Sequence, residues 1–152
     1  LRPFAKKFRD RKVRLAIENH DRFAAEQLAA IVTRLGDWTG ICLDTVNSFA
    51  ALEPPTVVIE ALAPHAINLH VKDFAVVRAN HQMGFTIEGR PVGGGQLDVG
   101  KLLHAVTTTG DVATAVIELW TPQRADLFET IQTESAWALK SLAYLRDVHG
   151  LA

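Results

Sequence analysis

The sequence predicts an α/β protein made of four consecutive strand–helix units of a parallel (β/α)8 barrel, a half-barrel in a single domain over residues 1–152. Three observations lead there. Four runs rich in Val, Ile and Leu, at 13–18, 39–44, 67–71 and 114–119, read as buried parallel strands, which are near-continuously apolar. Each run is followed by a stretch with helical spacing, and that alternation selects a parallel sheet with right-handed crossovers. Each run also carries, at or beside its C-terminal end, a side chain able to bind metal: Glu18, Asp44, His70 and Glu118. In parallel barrels the chemistry sits where the strands end.

The elements follow in order. Phe4 to Arg11 has the spacing of a helix tail, and Lys6, Lys7, Arg9, Arg11, Lys12 and Arg14 read as its solvated face and C-terminal turn. After the first strand, Asp21 is placed to cap a helix whose Ala24, Leu28, Ile31, Val32 and Leu35 share one face. Gly36 suits its left-handed C-terminal cap. Pro54-Pro55 opens the next helix, with Val58, Ala61 and Leu62 inward and Pro64 as its end. Residues 73–97 read as the longest irregular stretch, of a kind that in compact domains is functional or disordered. Asp98 caps a helix bearing Leu102, Leu103 and Val106, which stops at Gly110. The last helix, about residues 125–148, places Leu127, Ile131, Trp137, Leu142, Leu145 and Val148 on its packing side.

With 152 residues the chain can bury a sizeable core. A net charge of −1 without a long basic block points away from nucleic-acid and membrane partners. The single cysteine, Cys42, sits inside a strand run and reads as a buried structural thiol in a reducing compartment. No stretch reaches the roughly 20 apolar residues that span a bilayer, and Leu1 to Lys7 lacks the apolar segment of a signal peptide. A soluble, cytoplasmic protein is expected.

A complete (β/α) barrel needs eight units and about 250 residues. Four units leave two bare edges, and an inner face with Leu15, Ile17, Leu43, Leu69 and Ile117 among its candidates. The chain is therefore expected to associate with a second copy of itself or with an N-terminal half supplied elsewhere.

Glu18, Asp44 and His70 are spaced 26 residues apart, one strand–helix–strand unit each, and Glu118 lies 48 further on, one unit plus the long loop. All four should reach the same layer at one end of the sheet. Three carboxylates and one imidazole suit Mn²⁺, Mg²⁺ or Co²⁺, with Zn²⁺ as a further candidate. Lys72 points to the same side as His70 and could hold a hydroxyl, a carboxylate or a phosphate, or else pair with Asp73. Asn19, Asn47 and Trp120 are further candidates for substrate contact. The glycines at 93–95 could form a plain turn or offer backbone N–H groups to a phosphate.

Leu15-Ala-Ile-Glu-Asn-His, Gly40-Ile-Cys-Leu-Asp-Thr-Val-Asn-Ser, Asn68-Leu-His-Val-Lys-Asp, Pro91-Val-Gly-Gly-Gly-Gln-Leu-Asp and Ile117-Glu-Leu-Trp occur in that order. As a set they resemble the C-terminal half of the xylose-isomerase-like TIM barrels, the sugar phosphate isomerase/epimerase superfamily. The resemblance covers Phe4 to Leu145 and implies that Glu18, Asp44, His70 and Glu118 are metal ligands. It further implies an isomerase or epimerase of a small sugar, sugar phosphate or polyol-derived ketone, in which Glu18 and Glu118 form the acid/base pair. In such chemistry one carboxylate removes a proton beside a ketone and another returns it on the opposite face. A dehydratase or lyase on the same scaffold starts in the same way. From a different class, the chain is a catalytically silent half-barrel that only associates.

Two departures narrow the choice. The ketohexose 3-epimerases place a histidine where this chain has Asn47 and an arginine where it has Val76, which counts against free ketohexoses. DNA-repair endonucleases of the same superfamily need extra histidines that Asn47 and Arg90-Pro91-Val92 do not supply.

Overall fold

The computed structural model describes residues 1–151. The elements are α1 (Ala5–Asp10), β1 (Leu15–Glu18), α2 (Ala25–Leu35), β2 (Thr39–Asp44), α3 (Pro55–Leu62), β3 (Ala66–Val71), β4 (Asp73–Arg78), β5 (Phe85–Arg90), α4 (Val99–Thr109), β6 (Thr114–Ile117) and α5 (Leu127–His149). Strands β1, β2, β3 and β6 form one parallel sheet in that order, a part of a TIM barrel that does not close among the described residues. The alternation of apolar runs with helical stretches thus gives the architecture expected of it.

Register decides which side chains face which way. Ile17 lies opposite Ile41, and Leu43 opposite Leu69. Ile41, Leu43 and Leu69 are all buried, in the same core as Leu28 and Val32 of α2 and Val58 and Leu62 of α3. The expectation that Leu15, Ile17, Leu43, Leu69 and Ile117 line the inner face is therefore corrected. These residues alternate with Glu18, Asp44, His70 and Glu118, so period-two geometry sends the two sets to opposite sides. The face that carries the ligands is small and polar instead. Cys42 Sγ donates to Asn68 Oδ1 at 3.0 Å, and Asn68 Nδ2 donates to Thr114 Oγ1 at 2.6 Å. Cys42 is buried and in no disulfide, as expected.

One irregularity matters for the site. The β2–β3 pairing runs Ile41 to Ala66 and then Cys42 to Asn68, so Ile67 is an extra residue in β3. Without that bulge Asp44 would lie opposite Leu69; with it, Asp44 lies opposite His70. A one-residue slip sends every later side chain to the other face. The bulge is what turns His70 toward the aspartate.

Other expectations change as well. Residues 73–90 are not irregular: β4 and β5 form an antiparallel hairpin pairing Asp73 with Arg90 through Arg78 with Phe85. Helix α2 starts four residues beyond Asp21, and its first N–H groups are taken by other side chains. Ala24 N–H donates to Gln27 Oε1 at 3.1 Å and Ala25 N–H to Glu53 Oε2 at 2.9 Å. On α5, Leu145 is buried, whereas Leu127, Ile131, Leu142 and Val148 are more than half exposed. The stripe has helical period, but the described residues provide no layer to cover it.

Contacts divide the chain into two compact units, residues 1–70 with 101–115 and residues 71–100 with 116–152. The first holds β1, β2, α2, α3 and most of α4. Its core is completed by Trp38, whose indole N–H donates to Leu35 O at 2.8 Å. The second holds the β4–β5 hairpin and α5, with Phe74, Val92, Leu97 and Leu145 buried. Among the described residues no helix is long and apolar enough to cross a membrane.

The fold predicts a contrast between two leucines. Leu69→Ala, at a core position 1% exposed, should lower unfolding free energy by about 2–5 kcal/mol in urea titration, as for other buried leucines. Leu139→Ala, at a position 69% exposed on α5, should change it by less than about 0.5 kcal/mol.

Candidate metal centre

The first unit builds its site from the backbone outward. Asn19 follows the last residue of β1 and is fully buried. Its Oδ1 accepts from Asp44 N–H at 2.7 Å, while its Nδ2 donates to Asp44 O at 2.9 Å and to Ser48 Oγ at 3.0 Å. One amide therefore satisfies both backbone groups of Asp44 and ties the end of β1 to the end of β2. Asp44 itself is fully buried, and its Oδ1 accepts from Val46 N–H at 2.8 Å and Asn47 N–H at 2.7 Å. Those bonds hold the turn after β2 in a short 3-10 helix, Asn47–Ala51.

Asn47 completes the arrangement, its Nδ2 donating to Glu18 Oε1 at 2.9 Å. The same Glu18 oxygen lies 3.5 Å from His70 Nδ1. Ligand atoms of Glu18, Asp44 and His70 all fall within 4.8 Å of one another. The expectation of one common layer needs refinement, because Glu18 lies opposite Cys42 rather than Asp44. From that position its Oε1 still meets Asn47 Nδ2 and comes near His70 Nδ1. Two carboxylates and one imidazole at this separation fit a divalent cation that prefers oxygen and tolerates one nitrogen.

Asn19 and Asn47, expected as substrate contacts, are both buried and bond within the unit. Ser48 had no signal in the sequence beyond its place in a turn.

The second unit carries Glu118, Lys72 and Trp120. Glu118 directly follows β6, and its N–H donates to Val71 O at 3.1 Å. Lys72 is 3% exposed, and its ammonium sits 2.9 Å from Glu118 Oε1 and 5.7 Å from the centre of the Trp120 ring. The alternative of a Lys72–Asp73 pair is replaced by this one, since Asp73 has other partners. Its Oδ1 accepts from Phe74 N–H and Leu97 N–H, and its Oδ2 from Gly93 N–H and Gly95 N–H, at 2.7–3.0 Å.

These bonds also decide the role of the glycine-rich turn. Gly94 N–H donates to Pro91 O, Gln96 N–H to Phe74 O and Val92 N–H to Ser141 Oγ. Every N–H from 92 to 97 is thereby engaged inside the protein, so the turn has no donor to offer a phosphate. The reading of 93–95 as a turn stands, and the phosphate cradle is set aside. The role of Asp73 as an acceptor for this turn has no signal in the sequence, because one aspartate after a strand carries no mark of what folds over it.

The sequence profile of the xylose isomerase-like TIM barrel family matches residues 1–148. The 3-oxo-isoapionate decarboxylase of Pectobacterium atrosepticum is 36% identical over 146 residues, covering 95% of this chain and 53% of that protein. A xylose isomerase-like TIM barrel protein from Mycobacterium smegmatis, solved in complex with magnesium, superposes with a TM-score of 0.65 at 14% identity, over 93% of this chain and 48% of that one. A xylose isomerase domain protein from Planctomyces limnophilus gives 0.57 at 18%, over 88% and 45%. These last two likenesses speak for the fold alone. The chain spans about half the length of the curated relative it matches. It belongs to the xylose isomerase-like TIM barrel family.

Proposed function

We propose that this chain is the metal-holding C-terminal half of a divalent-metal-dependent enzyme acting on a small carbohydrate or polyol-derived ketone. The observation that carries the proposal is the convergence of Glu18, Asp44 and His70 within 4.8 Å. Glu118 is the fourth ligand in this reading, supported by its place directly after a strand of the same parallel sheet. A cation at these residues would supply Lewis acidity toward a ketone oxygen, easing the negative charge that develops there. Mn²⁺, Mg²⁺ or Co²⁺ suits the donor set best.

Isomerisation or epimerisation uses Glu18 and Glu118 as the acid/base pair: one takes a proton from the carbon beside the ketone and the other returns it. Asn47 holds Glu18 by its Oε1, which fixes the direction in which that carboxylate faces. Lys72 and Trp120 contribute a buried cation and an aromatic face to substrate binding. A second reading, decarboxylation of a 3-oxo sugar acid, is favoured by the 36% identical decarboxylase. There the bond from the α-carbon to the carboxylate breaks, carbon dioxide leaves, and a proton is returned to that carbon. The two readings share the charge on the ketone oxygen and differ in which bond opens.

The half-barrel is proposed to work with a second half, either another copy or the N-terminal half of a longer chain. Light scattering at micromolar concentration should then give a mass well above 16.7 kDa for the isolated chain. A monomer with a cooperative thermal transition would contradict this.

Calorimetric titration with Mn²⁺ should show a single saturable site per chain that His70→Ala abolishes. Asn47→Ala should weaken it by about 10–100-fold, as loss of a ligand-orienting bond does elsewhere. Asn19→Ala should weaken the site and also lower unfolding free energy by about 1–3 kcal/mol, since it strands the buried backbone groups of Asp44. Wild-type protein that binds no Mn²⁺ would remove the proposal. With the complete barrel assembled, Glu118→Gln should lower turnover by about 10²–10⁴-fold if Glu118 moves a proton. Running a ketopentose and a 3-oxo sugar acid in D₂O separates the readings: solvent deuterium enters the ketopentose in the first, and carbon dioxide is released in the second.

A further inference from the structure

We infer that Asp73 is a positioning residue, which clamps the glycine-rich turn and thereby presents Lys72 to Glu118. Strands β3 and β4 are separated by Lys72 alone. Whatever fixes the backbone at Asp73 therefore fixes the root of the Lys72 side chain. Asp73 is 2% exposed, and each of its carboxylate oxygens accepts two backbone N–H groups: Phe74 and Leu97 on Oδ1, Gly93 and Gly95 on Oδ2. Charge-assisted bonds of this kind are stronger than neutral ones, and the four close the turn over the start of β4.

The glycines are matched to the clamp. A Cβ on Gly95 would collide with Asp73 Oδ1 and Phe74 O, and a Cβ on Gly93 would run into the Tyr144 ring. Gly93 also has φ +83°, a left-handed conformation that favours glycine. From the other side, Ser141 Oγ on α5 accepts from Val92 N–H at 2.9 Å and donates to Trp137 O at 2.7 Å. The turn is thus pinned at Val92 by Ser141 and at 93, 95 and 97 by Asp73. Alternation along the strand then sends Lys72 the other way, where its ammonium meets Glu118 at 2.9 Å. Both carboxylate oxygens of Asp73 are spent on backbone N–H groups, so the aspartate acts on Lys72 through the backbone.

The inference rests on the proposed site roles of Lys72 and Glu118, but its test does not need activity. Acylation of amines with acetic anhydride, read by peptide mass spectrometry, compares Lys72 with Lys6, whose side chain is 86% exposed. In wild type Lys72 should be protected. Asp73→Asn puts an NH₂ against two N–H donors in either amide orientation, so two of the four bonds fail. Its Lys72 labelling should rise about tenfold or more as the weakened clamp opens, while circular dichroism reports a folded chain. Gly95→Ala, which attacks the clamp from the opposite partner, should do the same. Ser141→Ala frees only Val92 N–H and should leave Lys72 protected. In Asp73→Ala, formate should restore protection by filling the carboxylate's place, with no effect on wild type.

Lys72 that stays protected in folded Asp73→Asn and Gly95→Ala would overturn the inference. So would equal labelling of Lys72 in Ser141→Ala. Hydrogen exchange on the wild-type chain keeps the question decidable if the Asp73 variants fail to fold. The N–H groups of Gly93, Gly95 and Leu97 should exchange slowly and together, and exchange as fast as that of Gly84 would contradict the clamp. Failure of Mn²⁺ binding in wild type would remove the proposed function and leave these readouts standing.

Discussion

The buried amide of Asn19 is the interaction on which the first unit's site depends. A strand end leaves its last peptide groups without ladder partners, and a buried peptide group without a partner costs free energy comparable to a lost hydrogen bond. Asn19 answers both needs of Asp44 at once, accepting from its N–H and donating to its C=O. Asp44 is then free to use Oδ1 on the following turn, where it accepts from Val46 and Asn47. That turn delivers the Asn47 amide to Glu18. The chain of dependence runs from one buried amide through an aspartate to the orientation of the glutamate. The links from Asn19 through Asp44 to the turn are short bonds in a buried region, where such bonds hold geometry best.

Two features of the register complete the constellation. The bulge at Ile67 advances β3 by one residue and exchanges Leu69 for His70 opposite Asp44. Glu18, placed opposite Cys42, brings its Oε1 to Asn47 and near His70. A bulge costs a local ladder disruption, and it is found where a side chain has to be re-aimed. Here the core gains as well, because the same shift puts Leu69 against Leu43 on the buried side. Packing and site geometry therefore select one register.

Much of this is legible in the residues and some is not. The four parallel strands are legible because Val-Arg-Leu-Ala-Ile, Gly-Ile-Cys-Leu, Ile-Asn-Leu and Ala-Val-Ile are apolar on both faces or nearly so. The opposite facing of ligands and core leucines also lay within reach, since Glu18, Asp44 and His70 each directly follow Ile17, Leu43 and Leu69. The bulge is invisible, because Ile67 looks like any strand residue. The β4–β5 hairpin escapes because its linking residues 79–84 hold no two-residue turn signal and glycine interrupts β5 at Gly89. The stripe on α5 is periodic, but period does not say whether a covering layer is present. Asp73 is unreadable for a related reason: four backbone donors converge on it only after the turn folds.

The second unit follows the same logic with different groups. Asp73 uses its charge on backbone N–H groups, and Lys72 uses its charge on Glu118. The central claim is that Glu18, Asp44 and His70 together hold one divalent cation. Electron spin echo spectroscopy of the Mn²⁺-loaded chain tests it most directly, since a bound imidazole imposes ¹⁴N modulation on the manganese signal. The account predicts modulation from one nitrogen in wild type, absent in His70→Gln and retained when the substitution is instead made at His65, the last residue of the 3-10 turn before β3. Modulation that survives His70→Gln, or a signal without nitrogen in wild type, would contradict it.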